Sequence, residues 1–275
     1  VTPAETTHEG ADPSHGGITT HRGTRENCAG PDCGPDRGFT TSEISAELVK
    51  SAATDSDVLW SARVSTLGET SLADQYSGEL APRDRGLINF LMRDRHGTPF
   101  EHNSMTFLIK APMMVFWQMV RHRVGWSYNL ESGRYRELGL EFYSPDRDRP
   151  LRQVGKPGAY EYVPGTDYQQ RLMWHELETS YGQAWDSYQR MLTAGIAREV
   201  ARLVLPFGVY FHGYATCNAR SLMHFLSLRT KDEGATVVSS PQHEINVVAN
   251  QMEAEWARLM PETHAAFIRN GRVAP

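Results

Sequence analysis

The 275 residues carry 28 Lys and Arg against 33 Asp and Glu, a net charge of −5, and 40% of them are apolar. That supports one large domain or two small ones with a real core, and excludes a basic nucleic-acid coat or membrane-surface protein. No apolar run approaches the ~18 residues of a spanning helix, and no charged-then-apolar leader opens the chain. Three cysteines make no disulfide framework, so a reducing cytoplasm is the expected setting.

Residues 1–38 read as a disordered tail. They are rich in Gly, Pro, Thr, His and Asp, and Val1 and Ile18 are their only large aliphatics, too few to offset the entropy of ordering. Cys28 and Cys33 lie there at C-x4-C spacing with His15 and His21 upstream, but two closely spaced thiols without a second pair are weak evidence, and no metal site is expected.

The globular pattern, residues 39–275, starts with Ile44, Ala46 and Leu48 alternating as in a strand. Thr54-Asp55-Ser56-Asp57 offers N-cap chemistry for a helix holding Val58, Leu59 and Trp60. Leu87, Ile88, Phe90 and Leu91 mark another helix, stopped at His96-Gly97-Thr98-Pro99. Met105, Phe107 and Ile109 alternate in a strand ended by Pro112, and a short helix follows through Val115, Phe116, Met119 and Val120. Tyr143 to Gly165 reads as a long surface excursion. Leu177 to Leu192 recur at helical spacing as far as Gly195, and a helix with Val200 and Leu203 runs to Pro206. Ala215, Asn218, Ala219, Leu222, Phe225, Leu226 and Arg229 share one face of a further helix, which places Cys217 within it. The last helix starts at Ser240-Pro241 and buries Ile245, Val248, Met252, Trp256 and Leu259. The sum is α+β, helix-heavy, with a modest sheet.

Chemistry concentrates in Arg121-His122-Arg123-Val124-Gly125-Trp126-Ser127-Tyr128-Asn129-Leu130-Glu131-Ser132-Gly133-Arg134-Tyr135. Three consecutive basic side chains cannot share one helix face; a helix end or turn splays them around an anion, with Gly125 relaxing the backbone. A polar loop of Ser127, Asn129, Ser132 and Arg134 adds hydroxyl, amide and guanidinium donors, suited to phosphate and the edge of a heterocycle. A basic turn taken alone is more often a solvated surface.

The segment resembles the signature of flavin-dependent thymidylate synthases, R-H-R, a spacer, then S-x-N-x-x-S-x-R-Y. His96-Gly97-Thr98-Pro99-Phe100-Glu101-His102, Ala62-Arg63-Val64-Ser65, Ala201 to Pro206 and Asn218 to Arg229 resemble further elements of that family, in family order. The resemblance implies a helix-flanked antiparallel sheet, assembled as a homotetramer with active sites shared between subunits. It implies FAD as cofactor, with NADPH and methylenetetrahydrofolate as co-substrates, and methylation of the C5 of the uracil of dUMP without a cysteine nucleophile. A small-molecule nucleotide is then the partner, with no nucleic acid or membrane. By matching position, Ser65, His96, Thr98, Arg121, His122, Arg123, Asn218, Arg220 and His224 contact FAD. Gln118, Ser132, Gly133, Arg134, Arg202 and Arg229 hold the nucleotide, and Arg229 is the catalytic residue, stabilising negative charge on the pyrimidine.

Two features depart from the family pattern. The Val124-Gly125-Trp126 spacer is one residue longer than in many members, and Leu130 stands where Glu is usual. An apolar Leu130 in the nucleotide site leaves room for a ribose hydroxyl, as in the family's relative in polyoxin biosynthesis that methylates UMP. The expectation is a uridylate methylase active on UMP and dUMP, leaning to UMP and nucleoside-antibiotic biosynthesis. An ordinary dUMP enzyme, a flavoprotein oxidising NADPH, and a non-catalytic nucleotide- or RNA-binding relative are the alternatives.

Overall fold

Strict alternation in Met105, Phe107 and Ile109, none of them exposed, makes the strand at the centre of the molecule inward-facing on one side. The computed structural model describes residues 38–74, 80–156 and 159–275. The readings of the tail, including its cysteines, lie outside these except at Gly38.

In chain order the elements are β1 (Thr40–Thr41), β2 (Ser45–Ala52), α1 (Asp55–Leu67), α2 (Pro82–Arg93), β3 (Ser104–Pro112), α3 (Met113–Met119), β4 (Trp126–Leu130), β5 (Phe142–Tyr143), β6 (Arg152–Lys156), β7 (Ala159–Val163), α4 (Asp167–Thr193), α5 (Arg198–Ala201), β8 (Tyr210–Cys217), α6 (Ala219–Arg229), α7 (His243–Leu259) and α8 (Pro261–Arg269). The main sheet runs β2-β3-β8-β4, every pair antiparallel. Its inner face meets the buried stripe of α7, where Ile245, Val248, Met252 and Trp256 are fully enclosed. The α+β, helix-flanked antiparallel architecture is as expected. No helix among the described residues is long and apolar enough to cross a membrane.

Polar contacts tie the helices together. The buried Asp55 of α1 accepts the backbone N–H groups of Glu262 and Thr263 at 2.9 and 2.8 Å, capping the N-terminus of α8 from across the core. Asp84 of α2, also buried, pairs with Arg63 of α1.

Several local expectations are corrected. Ala215 and Cys217 belong to β8, not to a helix: Phe211, Gly213, Ala215 and Cys217 are buried at period two, and the helix begins only where Asn218 Oδ1 accepts the Ser221 N–H at 2.8 Å. Ser127 and Asn129 lie in edge strand β4, not a loop, because the free edge of β8 pairs with them. Ala62 to Ser65, an early turn by the family resemblance, lies in the last turns of α1. The excursion from Tyr143 to Gly165 contains the β6–β7 hairpin. Helix α7 starts at His243 with Gln242 as its cap, later than Ser240-Pro241, and α8 follows where no helix was expected, with Pro261 at its first turn.

Candidate functional site

The site grows from the place where α3 runs out. The His122 N–H reaches the Met119 carbonyl at 2.9 Å, and the Tyr128 hydroxyl of β4 lies 2.8 Å from that carbonyl and 3.1 Å from the His122 carbonyl. The turn is thus fastened to the sheet. Gly125 takes φ of 69°, and a methyl on it would collide with the Ser221 hydroxyl, which itself donates to the Val124 carbonyl at 2.9 Å. Arg121 and Arg123 are left exposed, and neither has a carboxylate partner among the described residues.

His122 turns inward instead. Its ring meets the edge of Phe225 at 4.9 Å, and its Nε2 accepts from Arg229 Nε at 3.1 Å. Burial, then the Arg229 and His224 charges, pull its pKa down to about 4, so it is neutral at pH 7 with the proton on Nδ1. Arg229 also donates to Gln118 Oε1 at 3.3 Å. Burial and the neighbouring Arg121 charge lower its own pKa. Four predicted residues from two parts of the chain, Gln118, Arg121 and His122 on one and Arg229 on the other, therefore converge.

The outward side of α6 continues this surface. His224 is exposed, and burial of part of its ring together with Arg220 lowers its pKa. Arg220 is held by Glu101 at 2.5 Å and by the Pro275 carbonyl at 2.7 Å. It lies over Gly97 so closely that a methyl there would strike the guanidinium. His96 and Thr98 flank this glycine, both exposed, with His96 stacked on Phe90 at 5.6 Å. Asn218 caps the same end of α6, two residues before Arg220, while the Asn103 side chain accepts the Ala219 N–H at 2.8 Å. Ser65 is exposed, its hydroxyl donating to the Ala62 carbonyl at 3.0 Å. One turn earlier, the Ser61 hydroxyl donates to the Asp57 carbonyl at 2.6 Å and lies 3.2 Å from the Pro99 carbonyl, which sets the end of α1 beside the 3-10 turn Thr98–Glu101.

A separate group forms behind β4. Gly133 is buried against Leu138 and the Arg202 stem, the Ser132 hydroxyl accepts the Arg134 N–H at 3.3 Å, and Arg134 pairs with Glu199 at 2.8 Å. No hydrogen bond or ion pair joins this group to Gln118 or Arg229 among the described residues. Leu130 faces inward beside Trp126 and Tyr128, packed over Gly213 and half-buried, so part of its surface is committed to the core. The adjacent Glu131 points the other way, 3.3 Å from the His212 ring and 3.2 Å from Arg136. Trp126 is a packing anchor, stacked on Tyr128 at 5.6 Å and 5.4 Å from Phe225. Phe100, Phe107 and Phe116 are core. Cys217 is buried against Trp126 in the sheet register, and burial pushes its thiol pKa far up.

Residues 47–262 match the family described as thymidylate synthase complementing protein. The flavin-dependent thymidylate synthase of Streptomyces coelicolor is 64% identical over 234 residues, covering 85% of this chain and 94% of its own length. The chain belongs to the flavin-dependent thymidylate synthase family. Its fold matches the UMP/dUMP methylase PolB from Streptomyces cacaoi, solved with 5-Br UMP and with 5-Br dUMP. The former is 51% identical with a TM-score of 0.78, over 86% of this chain and 99% of that one. The latter is 53% identical with a TM-score of 0.80, over 86% and 100%. This family member is a flavin-dependent, thymidylate synthase-like methyltransferase, as the resemblance implied.

Sequence reasoning passed over four polar residues that shape the site: Asn103, which anchors the start of α6, Glu101 as the partner of Arg220, and Gln242 and Glu244, which lie beyond Gln118. Glu101 stood inside a recognised element. The other three carry no local pattern, because the partners that tie them to the site, Ala219 for Asn103 and Gln118 for Gln242 and through it Glu244, are distant in sequence.

Proposed function

We propose that this enzyme transfers a one-carbon unit reductively to C5 of the uracil of a uridylate, with FAD bound and with NADPH and methylenetetrahydrofolate consumed. The observation that carries the reading is the convergence of Arg229, Gln118 and neutral His122, with Arg121 and Arg123 exposed nearby and without carboxylate partners among the described residues.

The residues fit a flavin dinucleotide. Arg121 and Arg123 offer exposed guanidinium forks for its pyrophosphate, and Gly125 lets the backbone hold them outward. His122, Asn218, Arg220 and His224, with His96, Thr98 and Ser65 along the far rim, complete the donor set. When bound, the flavin supplies the hydride that completes the methyl group. The protein's own part is to hold, orient and polarise the nucleotide. Arg229, fixed by His122 and Gln118, keeps a positive charge where negative charge builds on the pyrimidine.

Ser132, Gly133, Arg134 and Arg202 provide hydroxyl, amide and guanidinium groups suited to a nucleotide phosphate. Within one chain they form a group apart from Gln118 and Arg229. A homotetramer in which each subunit lends this group to its neighbour reconciles the two sets. The site takes UMP and dUMP, leaning to UMP, with the exposed part of Leu130 as an apolar wall where a carboxylate is usual. A role in nucleoside-antibiotic biosynthesis follows from that preference. Turnover measured on both nucleotides side by side, with FAD, NADPH and the folate supplied, tests the reading. Methylated product from UMP at a rate at least comparable to dUMP supports it, and the absence of methylation on either refutes it.

A further inference from the structure

A continuous run of hydrogen bonds leads from Arg229 into the protein. Gln118 Oε1 accepts from Arg229 Nη1 at 3.3 Å, and Gln118 Nε2 donates to Gln242 Oε1 at 2.5 Å. Gln242 Nε2 donates in turn to Glu244 Oε2 at 2.8 Å, with Met114 Sδ 3.6 Å away. Glu244 Oε1 accepts from the Tyr143 hydroxyl and from Arg149 Nε, both at 2.9 Å. Gln118 comes from α3, Gln242 and Glu244 from the start of α7, and Arg229 from the end of α6. Asn246, further along α7, donates to the Arg229 carbonyl at 3.1 Å.

The run has a direction. A carboxylate only accepts, whereas a glutamine amide donates at one end and accepts at the other. Glu244 is buried, and although burial opposes its charge, the Arg149 bond and charge, with a backbone N–H and the Gln242 amide, hold its pKa below the ordinary value. An ionised Glu244 draws the NH2 of Gln242 inward and turns its carbonyl outward. That carbonyl takes the NH2 of Gln118, which leaves the Gln118 carbonyl facing Arg229. Flipping either amide would set acceptor against acceptor or donor against donor. With Nε spent on His122 and Nη1 on Gln118, Nη2 of Arg229 has no hydrogen-bond partner among the described residues and forms the edge presented to a ligand.

We propose that Gln242 and Glu244 are positioning residues for the nucleotide: through the Gln118 amide they set the direction in which the Arg229 guanidinium points. This rests on the reading of Gln118 and Arg229 as nucleotide-holding groups. The effect of Gln242 and Glu244 on the guanidinium passes through the Gln118 amide, while Asn246 holds the Arg229 backbone independently.

A double-mutant cycle on the FAD-loaded enzyme tests it, with dissociation constants for UMP and dUMP read by calorimetry and folding followed by Tm and flavin content. Gln242→Leu should weaken both nucleotides about 10-fold, the order expected for one hydrogen bond to a charged group lost in effect, with flavin content unchanged. In a Gln118→Ala background the same change should add nothing. Gln242→Asn, one methylene too short to span Gln118 and Glu244, should repeat the loss should the leucine variant fail to fold. Wild-type affinity in both Gln242 variants overturns the proposal, as does an equal loss in the Gln118→Ala background, which would mark a general effect on the fold. If Gln118→Ala and Arg229→Ala themselves leave nucleotide affinity unchanged, the reading of the site falls, and this inference with it.

Discussion

Arg229 Nε donates to His122 Nε2 at 3.1 Å, so a cation and an imidazole are neighbours only because the imidazole carries no charge. Its pKa of about 4 against an ordinary 6.5 states the same fact in protons. A depressed pKa means the folded protein binds fewer protons than the unfolded chain between those values. The stabilisation is therefore full above pH 6.5 and is lost as pH falls toward 4. Nucleotide affinity should be flat in this group's titration from pH 6.5 to 8 and decline below about 5. NMR titration of the His122 ring checks it; in Arg229→Ala the pKa should rise only part of the way, since burial remains. A wild-type His122 titrating near 6.5 would contradict the geometry.

Arg121 and Arg123 are exposed and bind no carboxylate among the described residues, so their loss should cost the fold little and the cofactor much. The double replacement by Ala should give folded, colourless protein with stability within about 0.5 kcal/mol of wild type. Absorbance near the flavin bands, read against a circular-dichroism melt, decides it. Full flavin occupancy in that variant would remove these residues from the cofactor site.

Cys217 is enclosed in the sheet, where a thiolate is strongly disfavoured. Cys217→Ala should keep most of the methylation and lose about 1–2 kcal/mol of stability from the small void. A covalent adduct between uracil and this sulfur, trapped and identified by mass spectrometry, would overturn the thiol-independent mechanism.

Leu130 lies over Gly213 with part of its surface exposed. Glu at this position should shift the kcat/KM ratio toward dUMP, and burying part of a carboxylate should also cost about 1–3 kcal/mol of stability. Steric discrimination against one hydroxyl is worth only about 10–200-fold, so the wild-type enzyme should act on both nucleotides. Arg229→Ala should abolish turnover on both, a fall of about 10²–10³ or more in kcat. Wild-type preference for dUMP by orders of magnitude, unmoved by Leu130→Glu, would make this an ordinary thymidylate synthase of the family.

Periodicity and spacing carried much of this protein. Met105, Phe107 and Ile109 declared a strand because neighbouring side chains in a strand face opposite sides. Leu222, Phe225, Leu226 and Arg229 declared a helix face because 3.6 residues complete a turn. The Arg-His-Arg turn was legible for the same reason, since three cations in a row exclude one face, and the ordered run of family motifs named the chemistry. Local pattern failed where a distant partner decided the outcome. Ser127 and Asn129 read as loop but are strand, because β8 supplies the missing hydrogen bonds, and Cys217 moved out of the helix because Asn218 caps it. Only the tertiary structure could turn His122 inward while leaving Arg121 and Arg123 outside, or bring Gln242 and Glu244 behind Gln118. Hydrogen-bond direction and burial depend on what lies across space, and a linear sequence does not contain that information at the residue itself.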